Sequence, residues 1–167
     1  MAQEYRCKLA GLADMEQQWE RLIADAGQDR ANWIVWKESA IRRAAAGEAL
    51  PYYGILNGEI ICEATANLCA HNVQNAEGLV DEKTAYLCAF RTAEGYRGKG
   101  YFSKLLRYLL NDLKRRGYEA ATLGVEPKEE QNRQIYAHYG FDQYLKTVTE
   151  HEPDGTAITV DYYRKKL

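Results

Sequence analysis

Apolar residues at Phe102, Leu105, Leu106, Leu109, Leu110 and Leu113 recur every three or four positions, which marks one face of an α-helix. Lys114, Arg115 and Arg116 occupy its last turn, where the helix dipole favours cations, and Gly117 follows as a stop. Ahead of this helix, Lys83 to Thr92 is rich in apolar and aromatic residues and reads as a half-buried strand, broken by Ala93-Glu94-Gly95. Between strand and helix lies the glycine-containing stretch Tyr96-Arg97-Gly98-Lys99-Gly100-Tyr101-Phe102-Ser103.

The same patterning organises the flanks. Tyr5 to Leu9 predicts a first strand. Leu12, Met15, Trp19, Leu22, Ile23 and Ala26 mark an amphipathic helix. Gln28 to Asn32 is a polar connection to a second helix, marked by Trp33, Trp36, Ala40, Ile41 and Ala44 and stopped by Gly47. Pro51–Leu56 and Glu59–Cys69 read as strands joined by Asn57-Gly58, a strong hairpin signal. In the later strand a period of two places Ile60, Cys62, Ala64, Ala66 and Leu68 on one face. Glu59, Ile61, Glu63, Thr65 and Asn67 take the other. His71 to Glu82 is a polar loop. Glu119 to Glu126 is a strand ended by Pro127. Glu129 and Glu130 suit the first turn of another helix, which Gly140 ends, with Phe141 turning inward. Gln143–Glu150 and Thr156–Lys165 are the last strands, about the turn Pro153-Asp154-Gly155. Strands interleaved with helices predict a mixed α/β sheet.

Composition narrows the classes. At 167 residues the chain reads as a single domain over 1–167 with length for a real core. A net charge of −2 argues against bulk nucleic-acid binding, which depends on excess Lys and Arg. No apolar run approaches a membrane span and no signal peptide is recognised, so the expectation is a cytoplasmic protein without a membrane partner. Cys7, Cys62, Cys69 and Cys88 form no CxxC pair and read as small apolar residues in a reducing compartment. His71, His138 and His151 stand at no zinc spacing with them, so no metal is expected.

The loop at 96–103 carries the chemistry. Free N–H groups at a helix start bind anions, and the dipole adds to this. Gly98 and Gly100 allow close backbone approach, and Arg97, Lys99 and Lys104 add positive charge. A phosphate-bearing ligand is implied. Gly95 and Gly100 have the spacing of a nucleotide P-loop, but Tyr101-Phe102 follow where Lys and Ser or Thr are required. The dinucleotide fingerprint fails too, because Ser103 stands where its third glycine belongs.

The pattern that fits is the R/Q-x-x-G-x-G/A motif of the GNAT superfamily, the acyl-CoA-dependent N-acyltransferases. Arg97 opens it, Gly100 is its central glycine, and Phe102 replaces its last small residue. The stretch from Asn132 to Phe141 also resembles the family's N…Y-x-x-x-G-F helix. The resemblance covers residues 50–165, with a weaker fit before. It implies a central mixed sheet of about seven strands flanked by about four helices, in the order βααββββαβαββ less one strand.

It also implies roles. Arg97, Gly98, Lys99, Gly100, Tyr101, Phe102 and Ser103 would hold the pyrophosphate of acetyl-CoA. Phe90, Arg91 and Thr92 would line a gap where the fourth strand leaves the fifth, and a backbone N–H there would face the thioester carbonyl. Tyr136 would protonate the departing thiolate; a phenol is protonated at neutral pH. Asn132 would either bond the pantetheine arm or cap local backbone. Glu82 is the candidate base for the acceptor amine, with Glu63 and Glu126 as rivals. Trp33 and Trp36 are either core or acceptor contacts. The expected activity is acetyl transfer to a primary amine in a ternary complex. The alternative is an inactive module of the same fold that binds acyl-CoA or a protein. Acceptor identity and oligomeric state, monomer or homodimer, stay open.

Overall fold

The computed structural model describes residues 2–167. Seven strands form one sheet in the order β1-β2-β3-β4-β5-β7-β6. They are β1 (Tyr5–Leu9), β2 (Ala49–Leu56), β3 (Glu59–Asn67), β4 (Thr84–Thr92), β5 (Ala120–Val125), β6 (Gln143–His151) and β7 (Ala157–Lys166). Helices α1 (Leu12–Asp25), α2 (Arg30–Ala45), α3 (Tyr101–Arg115) and α4 (Glu130–His138) complete the fold. All neighbouring strands are antiparallel except β4 and β5. The mixed sheet and its four helices agree with the order expected from the sequence.

The sheet separates two layers. Leu105, Leu106, Leu109 and Leu113 of α3 are fully buried against Tyr52, Ala64, Leu87 and Leu123, with Phe141 below α4 in the same cluster. On the other face Met15, Trp19, Trp33 and Trp36 of α1 and α2 pack on Tyr53 and Ile55. β2 lies between these layers and is buried along its whole length. Burying a Leu-sized side chain stabilises by roughly 1.5–3 kcal/mol, so the α3 stripe dominates the core. The C-terminal end of α3 is pinned by Asp112, which accepts hydrogen bonds from Tyr52 Oη at 2.6 Å and Arg116 Nε at 2.8 Å.

Three local expectations are corrected. A register shift between Gly54 and Ile55 breaks strict alternation in β3: Ile60 packs with the α1–α2 layer, while Ile61 joins Cys62 in the α3 layer. The 71–82 segment is not simply polar. Leu79 and Val80 are buried with Val160 and Tyr162, and Thr122 Oγ1 donates to the Leu79 carbonyl at 2.7 Å. The 28–32 connection is a short 3₁₀ turn running straight into α2. Asn32 is buried there and exchanges two hydrogen bonds with Asp154 in the β6–β7 turn.

β4 and β5 pair only from Thr84↔Ala120 to Leu87↔Leu123. Beyond that point β5 continues against β7 alone, through Gly124↔Tyr162 and Val125↔Asp161. β4 continues against β3 alone, through Arg91↔Glu63 and Thr92↔Cys62. The parallel pair therefore opens at its C-terminal ends, as the resemblance implies.

Candidate active site

The opening has two walls, one of backbone and one of aromatic rings. The β4 register slips between Glu63 and Thr65, which leaves Ala89 and Phe90 opposite a single β3 residue. Ala89 has φ 57°, the left-handed region that costs an L-residue roughly 1–2 kcal/mol. A bulge of this kind re-aims the backbone, and β5 no longer covers that edge. Phe90 then points to the α3 layer, 5.5 Å from the Tyr136 ring and 5.4 Å from Phe102. Phe102, where the motif has a small residue, thus packs as part of the wall.

Above the opening, Gly98 and Gly100 adopt φ 73° and 85°, and Gly100 caps α3. An added Cβ at either would meet open space, so their requirement is conformational rather than steric. Among the described residues, no protein acceptor meets the N–H groups from Gly98 through Ser103. Such a run of free donors at a helix start suits an anion. Lys99 is exposed, and Arg97 Nε donates back to the Thr92 carbonyl at 3.1 Å, tying the loop to the end of β4. Tyr101 is anchored through its carbonyl, which accepts from Tyr5 Oη at 2.8 Å. The Ser103 hydroxyl bonds to that of Tyr139.

Tyr136 is half-buried on α4, and its hydroxyl has no hydrogen-bond partner among the described residues. Burial, with a smaller contribution from Glu129, pushes its phenol up to about 12, so it is a proton donor at neutral pH. Asn132 is exposed on the first turns of α4. Glu82 is exposed just ahead of β4, on the order of 20 Å along the strand from the bulge. The structure brings Phe90, Phe102 and Tyr136 together and places Glu82 apart from them.

On the opposite face of β4 lies a cavity of 560 Å³ between α1, α2, β4 and β6, to which Ala89 and Arg91 contribute. Trp19 and Trp36 line it; Trp33 packs between them, with ring centroids 5.9 and 5.3 Å away. Glu63 is buried, not solvated. Arg91 Nη2 pairs with it at 2.5 Å and Gln18 Nε2 donates to it at 2.7 Å, while the guanidinium sits 5.0 and 4.9 Å from the Trp19 and Trp33 rings. Glu126, the other rival acid, is half-buried and 3.6 Å from Lys128.

Two cavity residues escaped the sequence reading. Glu150 on β6 makes no ion pair or side-chain hydrogen bond among the described residues. Burial first, and the Glu152 carboxylate second, raise its carboxyl to about 6. Arg43 on α2 is the other. Both were legible in principle: Glu150 shares parity with inward Val148, and Arg43 follows Trp36 and Ala40 at helical spacing. Beyond the cavity, Glu48, Cys69 and His71 each place a ligand atom within 4.8 Å of the others, a grouping not anticipated. His71 Nε2 and Asn72 Nδ2 already bond to the Glu48 carboxylate, at 3.0 and 2.6 Å.

The comparisons agree with this fold. The sequence matches the family described as "Acetyltransferase (GNAT) family" over residues 11–141. The chain belongs to the GNAT acetyltransferase family. No curated protein matches the sequence. Among solved structures this GNAT chain is similar to yncA of Salmonella typhimurium, determined with its cofactor acetyl-CoA: 17% identity, 98% of this chain and 94% of that one, TM-score 0.67. It is similar also to a ribosomal-protein-alanine N-acetyltransferase from Brucella melitensis, with 16% identity, 97% and 99% coverage and TM-score 0.68. An N-acetyltransferase from Staphylococcus aureus Mu50 gives 16% identity, 98% coverage of both chains and TM-score 0.67. At these identities the likeness shows the fold. No helix among the described residues is long and apolar enough to cross a membrane.

Proposed function

We propose that this protein transfers an acetyl group from acetyl-CoA to a primary amine by direct attack in a ternary complex. The observation that carries this reading is the opening of β4 from β5 beside six N–H groups, residues 98–103, that meet no acceptor among the described residues. One end of it suits phosphates and the other a narrow chain with a carbonyl at the bulge. Bound there, acetyl-CoA supplies an activated acyl group on sulfur.

The protein's own groups divide the work. Residues 98–103 hold the phosphates through backbone donors. The uncovered edge of β4 at residues 90–92 pairs with the pantetheine arm, and an N–H at the bulge donates to the carbonyl oxygen. The acceptor nitrogen approaches from the cavity side, past Ala89. Glu150, with its carboxyl raised to about 6, is ionised at neutral pH and takes a proton from the acceptor ammonium. A second proton leaves nitrogen as the amide bond forms and the carbon–sulfur bond breaks. It passes through water to the Tyr136 oxygen and replaces the proton that the Tyr136 hydroxyl gives to sulfur.

Thiol release from acetyl-CoA, followed over a panel of amines, tests the reading. Amine-dependent release supports it. Tight acetyl-CoA binding with no release for any amine would mark a binding module instead.

A further inference from the structure

The cavity beside the β4 bulge is lined by a cation that makes no ion pair among the described residues. Arg43 enters from α2, forms no ion pair among the described residues, and its Nε is buried without a hydrogen-bond partner. The Glu48 carboxylate is already held by His71 and Asn72. A buried guanidinium N–H left without an acceptor costs more than an ordinary hydrogen bond returns, so an anion that reached it would be favoured there. Arg91 differs in having a partner: its Nη2 is paired with Glu63, although its Nε, like that of Arg43, is buried without a hydrogen-bond partner. Arg43, Arg91 and Glu150 line this cavity together with Cys88 of β4, so two cations and one anion share one chamber. Trp19 and Trp36 supply apolar wall.

We propose that the acceptor is an amino acid with a large apolar side chain, its carboxylate on Arg43, its amine toward Glu150 and its side chain against the tryptophans. This rests on the acetyltransferase reading for the amine, but the carboxylate site stands on Arg43 alone. A neutral amine would leave Arg43 unpaired, and a dianionic acceptor would face Glu150 and Glu152.

Titration calorimetry with two product-like probes tests it without requiring turnover. N-acetyl-L-phenylalanine should bind wild-type protein about tenfold or more tighter than N-acetyl-L-phenylalanine amide, which has the same shape and no charge. Arg43→Met keeps the aliphatic stem and should erase the difference. Arg43→Lys, which retains a cation, should keep part of it and controls for folding, checked by thermal melting. Equal binding of the two probes, unchanged preference in Arg43→Met, or no binding of either would overturn the inference. Acetyl transfer to phenylalanine and to phenethylamine is scored separately. Acid-selective binding with no transfer to either sinks the enzyme reading and leaves the carboxylate site standing. Transfer to both with equal probe binding does the reverse.

Discussion

On the α3 side of the sheet the groups proposed to face a ligand are backbone: the N–H run from 98 to 103 and the uncovered edge of β4. On the α1 side they are side chains, Arg43, Arg91, Glu150 and two tryptophans, delivered by four separate elements. The contrast has a physical basis. A backbone site is specified by local conformation, so two glycines at positive φ and a helix start suffice. A side-chain site depends on which elements meet across the sheet. One scaffold can therefore keep a fixed cofactor slot while its acceptor wall is rewritten residue by residue.

If the halves are separable, each should fail alone. Gly100→Asp should have the largest effect. It forces an L-residue to φ near 85° and sets a carboxylate against the phosphates. Acetyl-CoA affinity should fall by roughly 10²-fold or more, while calorimetry shows N-acetyl-L-phenylalanine binding unchanged. Loss of both would merge the two sites into one.

Tyr136→Phe comes next. The ring keeps its packing on Phe90 and Phe102, so acetyl-CoA KM should hold. The expected loss is in kcat, of order 10²-fold for a general acid. A rise in KM with kcat intact would make Tyr136 a binding residue.

Glu150→Gln sharpens the acceptor side and should cost about tenfold in kcat/KM at pH 7 to 8, a modest loss because water can replace a base. The step near pH 6 in the wild-type profile should vanish. A small stability effect accompanies it. The folded value of about 6 stands above the ordinary 4.5, so the protonated form is favoured on folding. That contribution is complete below about pH 4.5 and lost as pH rises through about 6. Glu150→Gln should melt like wild type at pH 4 and higher at pH 8, by no more than about 4 °C given the partial exposure.

The same contrast explains what could be read from the chain. The α3 leucines announce their face by spacing alone, and Asn57-Gly58 and Gly100 name their conformations. The bulge at Ala89 carries no such mark, since alanine seldom adopts positive φ and only the surrounding sheet imposes it. The slip at Ile60 and Ile61 is equally silent, because both residues are apolar and either could face either layer. Leu79 and Val80 were hidden in a polar stretch, and only the fold shows them packed on Val160 and Tyr162 of β7. Arg43 and Glu150 lie far apart in sequence, on α2 and β6, and only the sheet order brings them to one cavity. Nothing local marks Glu63 as buried, because its partners Gln18 and Arg91 lie 45 and 28 residues away along the chain.

Amide hydrogen exchange with and without acetyl-CoA tests the backbone slot most directly. In the free protein, amides 98–103 lack protein acceptors and should exchange fast. Saturation with acetyl-CoA should slow exchange in two segments, 90–92 and 98–103, and leave α1 and α2 near their free rates. Protection confined to α1 and α2, or none at 98–103, would contradict a phosphate site at the start of α3 and a slot between β4 and β5.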